Sequence, residues 1–131
     1  MRKLSLPNFA VIAVHALAVW VLCGVLMFAG MSLFSLVYAL VIHAIGAPVL
    51  AGLVAWFYFK QFHYTTPLVT AFLFVGIVIL MDVFIVALLI EQSFVMFASF
   101  IGTWLPLALI FVATYYTGHY VVAQSGTAKA V

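Results

Sequence analysis

Residues 67–90 read PLVTAFLFVGIVILMDVFIVALLI, an apolar stretch with one charged side chain, Asp82. A helix crosses the hydrocarbon core with roughly 20 apolar residues, so this stretch predicts a transmembrane helix. Its apolar residues are continuous and do not alternate at period two, which argues against a barrel strand. Pro67 stands at its opening, where the missing N–H of a proline costs nothing. Other runs share this character. One covers residues 9–28 behind Pro7, and another covers 33–59. The last run, 94–122, is too long for one simple crossing and is divided by Gly102-Thr103-Trp104-Leu105-Pro106. Thr103 is placed to cap a helix with Pro106 in its first turn. This gives a fourth span over about 103–120 and a short helical or interfacial lead-in over 93–101.

The whole chain agrees with these spans. It has 131 residues, of which 70% are apolar and 5% charged. A soluble domain carries about a quarter charged residues, so a soluble globular protein, a disordered chain and a basic nucleic-acid binder are all excluded. A net charge of +2 is too small to imply a polyanionic partner. The single cysteine, Cys23, excludes an internal disulfide, a CxxC redox centre and a thiolate zinc site. The expected partner is the lipid bilayer, in a multi-pass protein that binds no nucleic acid.

The connections are short: about 29–32, then 60–66, and a last link that begins at Glu91 and Gln92. Short links favour antiparallel neighbours, so the expected fold is an all-α, up-down-up-down bundle of four transmembrane helices. It forms a single domain over 1–122, with a short flexible tail over 123–131. The basic residues set the direction. Arg2 and Lys3 precede the first span, Lys60 lies between the second and third, and Lys129 follows the fourth. After four crossings all these places are on one side, which predicts cytoplasmic N and C termini. Trp56, Tyr58, Tyr64, Tyr115, Tyr116 and Tyr120 gather at the inner boundary, and Trp104 marks the outer one. The first span is longer than a signal-peptide core and lacks a small-residue cleavage site, so it reads as a retained span. Leu22 before Cys23 argues against a lipoprotein box.

The polar residues inside the spans carry what functional information there is. A carboxylate at mid-membrane costs at least about 2.5–3.5 kcal/mol on insertion scales, so Asp82 must face protein or water. Counting along the helices puts Asp82 roughly 13 Å, and His43 about 15 Å, from the outer surface. His15 comes out about 20 Å from it, within a helical turn of the pair. His43, Ala47, Ala51 and Ala55 repeat every four residues, so one face of the second helix is a histidine followed by small side chains. Small residues let membrane helices approach closely, and this face is expected to pack into the bundle. Pro48 frees the carbonyl of Ala44, and Gly46 loosens the same turn, which predicts a kink beside His43. Asp82 and His43 then read either as a buried clip that sets helix register or as a titrating pair in a small polar cavity.

The sequence has no catalytic triad, phosphate loop, H-E-x-x-H or glycosidase-like carboxylate pair, which argues against an enzyme. It holds no metal-ligand cluster. A haem held by His15 and His43 is the one cofactor that residue types permit. The first span lacks the glutamate of small multidrug-resistance transporters. The Arg/Asn/Glu cluster of eicosanoid and glutathione membrane enzymes is also missing, as are the cysteine pairs of quinone-linked disulfide-forming enzymes. His43-Ala44-Ile45-Gly46-Ala47-Pro48, Tyr64-Thr65-Thr66-Pro67-Leu68, Met81-Asp82 and Gly102-Thr103-Trp104-Leu105-Pro106 together resemble an uncharacterised family of small bacterial four-span integral membrane proteins. The resemblance covers spans two to four. It implies four helices and a bacterial cytoplasmic (inner) membrane, and no activity comes with it. The residues favour a transport- or permeation-related protein centred on Asp82 and His43, with a homo-oligomer completing any pathway. The alternative is a non-catalytic accessory or structural subunit that binds a larger membrane-protein partner through Ala47, Ala51 and Ala55.

Overall fold

The computed structural model describes residues 6–62, 64–90, 92–93, 95–98 and 100–130, so Arg2, Lys3, His63 and Glu91 lie outside the described residues. The described residues are helical and contain no strand. Helix α1 is Leu6–Leu33, α2 is Leu36–Gln61, α3 is Pro67–Met81 and α4 is Leu105–Ala130. Four segments are long and apolar enough to cross a membrane: Leu6–Leu33, Leu36–Gln61, Pro67–Ile90 and Gly102–Gln124. The chain is therefore a multi-pass membrane protein.

Local chemistry explains most helix ends. Pro67 opens α3, and the Thr66 hydroxyl accepts a hydrogen bond from the Val69 N–H at 3.3 Å. Pro106 lies in the first turn of α4, and Thr103 lies before the residue that precedes the helix. It is buried in a π-helical turn, Phe100–Trp104, that leads directly into α4. Within residues 93–101, Val95–Ala98 forms a 3-10 turn. After Met81 the third span widens into a π-helix over Asp82–Ile90. It ends where the Ser93 N–H donates to Ala87 O at 2.8 Å and Gln92 takes a left-handed φ of 53°. Helix α4 continues to Ala130, through the stretch that composition reads as a flexible tail.

The first link falls later than 29–32. Gly30 stays helical, and the Phe34 N–H donates to Gly30 O at 2.8 Å. The reason is packing: a Cβ on Gly30 would lie 3.0 Å from the Ala39 Cα. This glycine serves the approach of two backbones and does not make the turn. Gly46 acts in the same way deeper in the bundle, since its missing side chain makes room for Leu26. Helix α2 runs unbroken through Pro48.

Helices α1 and α4 each pack against both α2 and α3. The order around the bundle is therefore α1, α2, α4, α3. The short middle link, which the sequence places over 60–66 between neighbours, joins helices on the diagonal. Large aromatic side chains fill the distance between them. Tyr58 is fully buried and crosses the centre to stack edge-on against Phe74, with 6.1 Å between ring centroids. Ala47, Ala51 and Ala55 are also fully buried in this core, with Ile12, Ala16, Val19 and Ile110 beside them. Side chains on the other helix faces are exposed, among them Val14, Phe28, Ile45, Leu53, Phe72 and Val112, as lipid contact requires.

Candidate functional site

Asp82 is held at the seam between the first and third spans. The Trp20 indole N–H donates to its Oδ1 at 2.9 Å. Cys23 lies one helical turn beyond Trp20 on α1 and is buried. Asp82 is the first residue of the π-helical stretch and is half-buried. Widened turns of this kind recur at functional sites and re-aim the side chains around them.

The partner seen here is the indole rather than His43. His43 Nδ1 is buried without a hydrogen-bond partner. The contacts of α1 explain the mismatch. Gly46 meets Leu26, and Gly30 meets Ala39, so His43 stands level with the stretch from Leu26 to Ala29 on α1. Trp20 is about six to nine residues earlier, roughly 9–13 Å along the helix at 1.5 Å per residue. Counting from estimated span ends cannot detect such an offset, because it is set by how two helices slide against each other.

His15 is further away still. Its Nδ1–H donates to Val11 O at 2.7 Å, and its ring sits among Phe57, Tyr58 and Phe62 with centroid separations of 6.0, 5.5 and 5.3 Å. Tyr58 is fifteen residues from His43 along α2, or roughly 22 Å at 1.5 Å per residue. His15 is thus not within a turn of His43. The two histidines cannot occupy the two axial positions of one haem iron within this chain.

A connected polar network lies around Tyr58, where the sequence suggests only interfacial aromatics. The Tyr64 N–H donates to the Tyr58 hydroxyl at 3.1 Å. Tyr58 and Thr65 hydroxyls are 2.9 Å apart, Thr65 is bonded to Thr70, and the Thr70 hydroxyl donates to Thr66 O at 2.8 Å. Each hydroxyl has one proton, so the last bond dictates the direction of the others. Thr70 donates to the Thr66 carbonyl, Thr65 to Thr70, and Tyr58 to Thr65. The chain of donors runs one way, and the buried hydroxyls of Tyr58, Thr65 and Thr70 are all satisfied. Such a network rigidifies the corner. Thr114, fully buried on α4, has a hydroxyl with no partner.

Two signals in the sequence point to these groups. Trp20 is a tryptophan far from either end of its span, so its N–H requires an acceptor inside the protein. Thr65-Thr66-Pro67 is a helix-opening signature with one hydroxyl more than a cap needs. Neither signal names its partner. Comparison with protein-family models, with curated proteins and with solved structures finds no match for this chain.

Proposed function

We propose that the chain is a small transport- or permeation-related membrane protein whose titratable centre is Asp82 with Trp20. The observation that carries this reading is the Trp20–Asp82 bond inside an apolar span. A neutral N–H bonds a carboxyl oxygen in either protonation state, so the side chain can gain or lose a proton without leaving its place. A cationic partner would instead resist protonation. The basic residues Arg2, Lys3, Lys60 and Lys129 all fall outside the centres of the spans, and an intramembrane acid is a functional candidate by default.

In this proposal the bundle runs up-down-up-down with both termini in the cytoplasm of a bacterial cell, across the inner membrane. The pairings of Gly30 with Ala39, Gly46 with Leu26 and His15 with Tyr58 support opposite directions for α1 and α2. Four helices enclose little interior, so the pathway is shared between copies. The accessory-subunit alternative gains no support from Ala47, Ala51 and Ala55, since this chain's own helices already cover them.

The test is proton flux into proteoliposomes under an imposed pH gradient. Asp82→Asn keeps an oxygen for the Trp20 indole and cannot titrate, so flux should fall at least about tenfold, the equivalent of about 1.4 kcal/mol. Equal flux from a folded Asp82→Asn protein would remove the proposal.

A further inference from the structure

Near the ends of α2 and α4, side chains of both helices line one lipid-facing groove. Gly52 admits Thr117, whose Oγ1 would be 3.4 Å from a Cβ there, and Phe59 lies against Gly118. These contacts set the helices side by side with Trp56 and Lys60 on one bank and Tyr116, Tyr120 and Gln124 on the other. Every one of these five is exposed. The Lys60 ammonium rests over the Trp56 ring, 5.6 Å from its centroid, which holds it at the groove. Gln124 Nε2 donates to the Tyr120 hydroxyl at 2.9 Å. That hydroxyl therefore accepts from Gln124 and has its own proton to give to an outside acceptor. The outer flank continues into a shallow hollow of about 370 Å³ lined by Tyr115, Tyr116, His119 and Tyr120.

We infer that this groove binds the headgroup of an anionic phospholipid. The cation and the hydroxyl donor match the phosphate, and the aromatic banks match the glycerol and upper acyl region of one leaflet. Charge complementarity supports the choice. Lys60 is the cation of the groove, Lys129 follows on the same helix as Tyr120, and the chain's acids, Asp82 and Glu91, belong to the third span and its far end. The inference rests on the membrane fold and is independent of whether Asp82 moves protons.

Native mass spectrometry of the purified protein, titrated with phosphatidylglycerol or with phosphatidylcholine of the same chains, tests it. Wild type should retain phosphatidylglycerol more tightly. Lys60→Gln should reduce that preference about fivefold, the equivalent of about 1 kcal/mol for one lysine at a membrane surface. Lys60→Arg should keep it, and Tyr120→Phe should weaken both lipids, because both carry the phosphate that the hydroxyl would bond. Soluble glycerol phosphate should not compete, because it lacks the acyl chains that seat the headgroup. Equal retention of the two lipids by wild type would overturn the inference, as would a preference that survives Lys60→Gln. Competition by glycerol phosphate would assign the groove to a free phosphate instead and would equally overturn it.

Discussion

The corner around Tyr58 and the seam around Asp82 handle buried polarity in opposite ways. At the corner, four residues pass hydrogen bonds in one direction until a backbone carbonyl ends the series. The groups are neutral, local in sequence and mutually satisfied, so the cost of burying them is met where it arises. At the seam, one ionisable side chain is held by an indole from a different helix, sixty-two residues away. A carboxylate in an apolar span carries an insertion cost of at least about 2.5–3.5 kcal/mol, and a hydrogen bond to a charged group returns about 1.5–3 kcal/mol. The corner is an anchor by this arithmetic, while the seam roughly balances. A group that balances is free to be kept for another purpose.

The largest effect in this contrast is expected at the corner. Tyr58→Phe takes an acceptor from the Tyr64 N–H and a donor from Thr65, and should cost about 1–3 kcal/mol. Thermal melting in detergent reads this, and a double mutant with Thr65→Val should add less than the sum of the singles because both break one network. Unchanged melting in Tyr58→Phe would remove the distinction between the regions. At the seam, Trp20→Phe should lower stability by about 1 kcal/mol if Asp82 is neutral and nearer 3 if it is charged. Measuring that loss at pH 5 and at pH 8 refines the contrast, since a pH-dependent loss identifies a carboxyl that titrates. The smallest expected change is a gain. Thr114→Val replaces an unpartnered buried hydroxyl with a methyl of similar size, and should raise stability by up to about 1 kcal/mol. A loss on that substitution would mean that Thr114 does have a partner in the membrane.

How far the sequence could be read depended on how local each feature was. Pro67 and Thr66 begin α3 as their residue types require, because a cap is settled within one turn. The period of Ala47, Ala51 and Ala55 identifies a small face, and those three are fully buried. His43 belongs to the same series but lies at its edge, half-buried and with one ring nitrogen unpaired. In sequence, Gly46 reads as loosening its helix and Gly30 as lying in a link, whereas both are places where another helix comes close. A glycine's local freedom is visible in sequence, but the neighbour that needs its missing side chain is not.

Residue order alone establishes that the protein consists of long apolar helices. In hydrocarbon a backbone without water must bond to itself, and continuous apolar runs of this length leave the helix as the one solution. Residue order also establishes that Asp82 needs a partner. Which partner it takes is a matter of how the helices pack. Sliding a helix by one residue moves its side chains 1.5 Å along the axis and turns them by about 100°. An offset of several residues, set by how the helices slide, therefore exchanges His43 for Trp20. The order α1, α2, α4, α3 is likewise settled by the fit of Tyr58, Phe74 and the glycines across the bundle. Such shape complementarity between distant residues has no signature in the order of the chain.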